Sequence, residues 1–194
     1  MMADSFFEKF RNRFPFPREK WDEYIGYYRR LEVPSHTVLL REGEISRKAY
    51  FIEKGCLRVW FSSKGKDITF QFFFEDQSVS SAESFKKRVP SIFTLETIEP
   101  CVLHCISKEK MDKIMQEIMQ VPKLRDQMMD VLFERQWNYA HHFLSFIKYT
   151  PRERYMQLVE QRPELIRRVP QQYIASYLGI TPVSLSRIRA KFKG

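Results

Sequence analysis

Arg187 is the side chain whose surroundings say most about the chemistry this chain can do. It sits in Val169–Arg189, which reads as helix, tight turn, helix. Ile174, Leu178, Leu185 and Ile188 are spaced so that two crossing helices bury one small core, and Ala175 permits their close approach. Gly179 supplies the positive φ of a sharp turn, Thr181 caps the second helix and Pro182 takes its first position. Such a unit presents the N-terminal half of its second helix to the DNA major groove. On that helix Val183, Ser186, Arg187 and Ala190 lie opposite a Leu185/Ile188/Phe192 stripe. Arg187 thus points outward, where a guanidinium can grip a guanine edge through O6 and N7.

Charge agrees with a polyanionic partner. The 194 residues carry a formal net charge of +9. From Tyr149 to Gly194 there are nine Arg/Lys against three acids, so +6 of that excess lies in the last 46 residues. A basic end on a nearly neutral body points to nucleic acid.

Other chemistries find little support. Three cysteines, Cys56, Cys101 and Cys105, make neither a disulfide framework nor a C-x-x-C metal pair. His141 and His142 are adjacent on a helical stretch and point about 100° apart, so a shared metal is not expected. H-E-x-x-H, G-x-S-x-G, P-loop and G-x-G-x-x-G patterns are absent, and no enzymatic activity is expected. With no long apolar run and no apolar signal core, the expected location is the cytoplasm, without membrane contact.

The elements that position the C-terminal unit can be read upstream. Aromatics at helical spacing from Ser5 to Leu31, broken at Phe14-Pro15-Phe16-Pro17, fit two short helices. Strands are expected at Thr37–Leu40, Tyr50–Ile52, Leu57–Phe61, Ile68–Phe74, Ile92–Ile98 and Val102–Ile106. Gly43, Gly55 and Gly65 lie in the separators, the last in a hairpin turn, which implies a compact antiparallel roll or barrel. Ser107 can cap a helix over Lys108–Gln120, and a longer helix follows Val121-Pro122 to about Lys148. That helix has more apolar surface than one packing face requires, so a homodimer through Pro122–Lys148 is preferred to burial against its own barrel. Thr150-Pro151-Arg152-Glu153 is a capping box that starts a further helix ending near Arg162-Pro163.

A roll with glycines in its turns, a long interface helix and a terminal Ile-Ala-x-Tyr-Leu-Gly-Ile-Thr-Pro-x-x-Leu-Ser-Arg-Ile-Arg together resemble the Crp/Fnr family of bacterial transcription regulators, over essentially the whole chain. The resemblance implies an α+β fold. A cyclic-nucleotide-binding-like β-roll of the jelly-roll type would span 1–120, a dimerisation helix 121–148 and an all-α helix-turn-helix domain 149–194. It implies double-stranded DNA as partner and admits RNA polymerase as another. The family's phosphate-contacting position falls on Gln171 and its base-reading positions on Pro182, Val183 and Arg187. Gln172, Thr181, Ser184, Ser186 and Lys191 complete the expected DNA contacts. Two of the three base readers depart from the family's usual Arg and Glu, so its usual operator is not assumed. The chain stops at Gly194, so the wing that follows this helix in longer members is expected to be missing.

The sensor region departs further. Where cyclic-nucleotide-binding members place a ribose-holding acid and a phosphate-clamping arginine, this chain has Ser81 and Pro90. Ser80, Ser81, Glu83, Arg88 and Ser91 form the candidate effector pocket, with Arg88 two residues from the arginine position. Neither cofactor nor cyclic nucleotide is expected, and the roll should keep its architecture while binding another ligand or none. The remaining alternatives are a ligand-binding roll without DNA regulation and a true cyclic-nucleotide-responsive regulator.

Overall fold

The computed structural model describes residues 6–8, 11 and 16–191. In chain order the elements are α1 (Arg18–Ile25), β1 (Arg29–Val33), β2 (Val38–Leu40), β3 (Lys48–Lys54), β4 (Leu57–Ser63), β5 (Lys66–Phe73), β6 (Ser78–Val79), α2 (Ala82–Lys87), β7 (Thr94–Thr97) and β8 (Cys101–Ser107). Helices follow: α3 (Lys108–Gln120), α4 (Pro122–Lys148), α5 (Pro151–Gln161), α6 (Pro163–Arg168), α7 (Gln171–Tyr177) and α8 (Pro182–Ala190). The chain forms two compact units, one from Met1–Leu57 and Phe73–Arg135, the other from Arg58–Phe72 and Gln136–Gly194.

The first unit is built on an antiparallel sheet of order β1-β8-β3-β6. Leu103 on β8 faces Leu31 on one side and Ile52 on the other, and Leu103 and Ile52 are fully buried. β2 pairs with β7, again antiparallel. Tyr24, Ala49, Phe85, Ile106, Ile114, Ile118 and Leu124 form one core cluster, which fastens α1, α2, α3 and the start of α4 to the sheet. The Ser107 hydroxyl caps α3 by accepting from the Lys110 amide. The three cysteines are buried.

The N-terminal aromatic spacing does not run on as helix to Leu31. α1 ends at Ile25, and Arg29–Val33 is a strand whose partners lie in β8. Tertiary pairing overrides the local period here, since Leu31 and Val33 also fit the alternation of a half-buried strand. The earlier of the two expected helices falls mostly outside the described residues; Phe6 and Phe7 are buried and pack on His104, the Phe6 ring stacked at 4.6 Å. β6, α2 and α6 were not expected from the sequence pattern, each being six residues or shorter.

In the second unit β4 and β5 form a hairpin whose turn residues Lys64 and Gly65 both have positive φ, at 51° and 73°. That is the I′ geometry that matches strand twist. The same unit holds α5 to α8. Thr150 and Glu153 make the expected capping box with Pro151 at the first helical position, and the hydrogen bonds that the Thr150 amide and hydroxyl donate to the Glu153 carboxylate draw it below the usual carboxylate range. Among the described residues no helix is long and apolar enough to cross a membrane.

Candidate nucleic-acid interface

α7 and α8 are joined through Gly179, whose φ is +66°, and the Ile180 amide donates back to Ala175 O at 3.0 Å. These bonds close the α7 C-terminus. Gly179 is required twice over, because a Cβ there would lie 3.0 Å from Phe146 Cε1 as well as demanding left-handed backbone. Arg154 of α5 seals the turn from outside: it donates to Leu178 O at 2.9 Å and to Tyr149 O at 2.7 Å, and stands over the Phe146 ring. Thr181 caps α8, its hydroxyl accepting from the Ser184 amide at 3.1 Å.

Ile174, Ala175, Leu178 and Leu185 are buried together with Leu165 of α6, as a helix-turn-helix core requires. Ile188 is only half-buried, and Phe192 lies outside the described residues. The outward face of the two helices is open. Gln171, Gln172, Pro182, Ser186, Arg187 and Lys191 are exposed, and Val183 is 60% exposed. Thr181 and Ser184 differ from these: their hydroxyls lie 2.9 Å apart, so both are occupied at the cap before any base is met. The side chains that α8 leaves open to solvent are thus Val183, Ser186 and Arg187, an apolar surface, a short hydroxyl and a group able to donate two parallel hydrogen bonds.

Several residues that shape this unit carried no sequence signal. The Arg58 guanidinium, its side chain 3% exposed, lies 3.8 Å from the centre of the Tyr173 ring and 5.0 Å from that of Trp60, with Asp67 at 3.8 Å. Ser176 Oγ accepts from the Thr69 amide at 2.8 Å and donates to Asp67 O at 3.0 Å. Phe72 meets Tyr177 edge-on at 5.4 Å, and His142 stacks on the same tyrosine. The partners that β4 and β5 offer to α7 lie about a hundred residues away in sequence and leave no local pattern; only an unusual aromatic content in α7 could have drawn notice.

The five effector-pocket candidates of the first unit are divided by the structure. Ser81 and Ser91 are buried with their hydroxyls 3.0 Å apart, Ser91 also donating to Phe93 O at 2.7 Å, and Ser80 is half-buried. Ser84, which the sequence did not single out, is buried beside them and accepts from the Ser46 amide at 2.8 Å. Glu83 and Arg88 are exposed, the one paired with Lys87 and the other with Glu109 at 2.8 Å. Arg88 ends α2 in left-handed backbone, φ 61°. The donor set turned inward is thus hydroxylic and uncharged, and it does not fit a cyclic phosphate, which calls for a cation. Among the described residues no cluster of three or more His, Cys, Asp or Glu could hold a metal ion.

Comparison with known proteins accords with this geometry. Residues 30–118 match the family model described as cyclic nucleotide-binding domain. No curated protein matches the chain. Among solved structures it is similar to CLP of Xanthomonas campestris, described as a c-di-GMP responsive global regulator, with 16% identity, 91% of this chain and 92% of that one covered, and a TM-score of 0.71. FixK2 of Bradyrhizobium japonicum follows at 15% identity, 86% and 84% coverage and a TM-score of 0.69. A variant of CooA from Carboxydothermus hydrogenoformans has 14% identity, 87% and 77% coverage and a TM-score of 0.66. These are Crp/Fnr-family regulators, and the α+β fold with its β-roll and C-terminal helices is theirs.

Proposed function

We propose that this chain, whose fold is that of Crp/Fnr-family regulators, is a dimeric transcription regulator that binds double-stranded DNA in the bacterial cytoplasm and does not answer to cyclic AMP. The observation that carries the reading is the open face of α8. A helix capped at Thr181 and seated by Leu185 leaves Val183, Ser186 and Arg187 to solvent, in a C-terminal segment of strong positive charge.

One helix-turn-helix reads half a site, so a second copy is needed, and α4 offers the surface for it. Met129, Leu132, Phe133, Trp137, Phe143, Leu144 and Ile147 are all exposed, Phe133 and Trp137 at 65% and Ile147 at 69%. At 100° per residue they occupy one sector of about 140°, distinct from the sector of Leu124, Met128 and His142. An apolar stripe from Met129 to Ile147, broken at Gln136, is what a helix-to-helix dimer buries. Against cyclic AMP stand the buried, uncharged hydroxyls of Ser81, Ser84 and Ser91, bonded to one another or to backbone, with Arg88 turned outward to Glu109.

Selection from a random duplex pool, followed by light scattering of the free and bound protein, tests the reading. Enrichment of an inverted repeat with half-site centres about 34 Å apart, bound by two chains, is expected. Trp137→Glu should shift the free protein toward monomer. A monomer that enriches no duplex sinks the proposal.

A further inference from the structure

We propose that Ser176 is a positioning residue, and that the β4–β5 hairpin acts through it as a clamp on the first helix of the DNA-binding unit; this rests on the DNA-binding reading above. Tyr173, Ser176 and Tyr177, at i, i+3 and i+4, present one face of α7. The hairpin occupies that face at all three positions: Arg58 lies under Tyr173, the Thr69 amide and Asp67 carbonyl hold Ser176, and Phe72 abuts Tyr177. The adjoining face of α7 carries Ile174, Ala175 and Leu178 in the core with α8. The helix is therefore gripped from two sides, while Gln171, Gln172 and the reading residues of α8 stay exposed. A contact that covered the DNA face would inhibit; this one leaves it free, so it positions.

Ser176 is the specific element of the grip. Its hydroxyl is both donor and acceptor to the backbone of one strand, which fixes the register of helix on hairpin as ring packing alone cannot. Phe70 of the same hairpin stacks on Tyr139 of α4 at 5.7 Å, so the clamp ties the helix-turn-helix to the helix proposed above as the dimer seam. In a dimer, two clamped reading helices bind well only at one half-site spacing, whereas released ones accept several.

The test uses the full-length protein and the selected inverted repeat, with half-sites at the preferred spacing and moved by one and two base pairs. Ser176→Ala should weaken binding at the preferred spacing by about three- to tenfold and narrow the gap between spacings, leaving discrimination among bases as it was. Ser176→Thr, which keeps the hydroxyl, should restore the spacing preference. Amide exchange should show Thr69 deprotected in Ser176→Ala while Leu185 keeps its protection, which marks a folded unit. An unchanged spacing preference, or an unchanged Thr69 exchange rate, overturns the clamp. A wild-type protein that binds no duplex overturns the DNA-binding reading itself, and the two failures are thereby distinct.

Discussion

The imidazole of His142 lies flat on the phenol ring of Tyr177, with ring centroids 4.2 Å apart and planes 8° from parallel. The stack places a titratable group of α4 on the outer face of the helix-turn-helix, next to Phe146, which also packs edge-on against it. Burial, with the Arg162 and Arg154 charges nearby, pushes the His142 pKa down from 6.5 to about 4.

Stability of the second unit should therefore fall in mild acid. Below pH 6.5 the unfolded chain takes up a proton that the folded chain refuses, so the stabilisation is complete above pH 6.5 and is lost as pH falls toward about 4. Allowing for the solvent that reaches a half-buried ring, the loss is on the order of 1–2 kcal/mol. His142→Phe keeps the stack without the proton. Thermal melts should coincide for the two proteins at pH 7 and separate at pH 5, with the variant higher; equal losses in both would remove His142 as the cause.

Gly179→Ala should destabilise the same unit by about 1–3 kcal/mol, from the left-handed backbone and from the Cβ driven against Phe146. Urea unfolding measures it. Repeating the substitution in Phe146→Leu should recover part of the loss, and no recovery would assign the whole effect to backbone strain.

Reading and positioning by α8 should separate in binding assays. Arg187→Ala is expected to cost about 1–3 kcal/mol per half-site on the selected operator and little on a scrambled duplex. Lys191→Gln, past the base-reading half of the helix, should weaken both alike and flatten the slope of log affinity against log salt by about one unit. Equal effects of Arg187→Ala on the two duplexes would show that this helix faces the groove in another phase.

These residues were legible in the sequence because their signals are local. The Thr150/Glu153 box, the Thr181 cap and the positive φ at Gly179 each need only a few neighbouring residues, and all stand in the structure as the pattern implies. The strand at Arg29–Val33 was hidden because its partner lies some seventy residues on in β8, while the aromatics before it keep helical time. The hairpin's grip on α7 was invisible for the same reason: Thr69 and Ser176 are 107 residues apart, and neither type advertises a partner. Around α2 the sequence did not show that Glu83 and Arg88 face solvent, since the outward turn is made by a six-residue helix with no pattern of its own.

Cyclic AMP should neither raise the melting temperature of this protein nor tighten its hold on DNA. A ligand that binds only the folded state at a hundred times its Kd adds about 2.7 kcal/mol, an easily seen shift. Calorimetry and melting at millimolar cyclic AMP provide the check. Micromolar binding that disappears in Arg88→Ala would return the arginine to the pocket, against its observed pairing with Glu109.

The division of labour within α8 bears on how such a protein changes over generations. Leu185 and the Thr181 cap keep the helix in place, whereas Val183, Ser186 and Arg187 are exposed. Substitutions at the three outer positions are nearly free of folding cost, as surface changes usually are. If the proposed DNA reading holds, target sequence can thus drift, or be re-engineered, at little cost to the fold. A library randomised at those positions alone should consist mostly of folded proteins that differ in what they read.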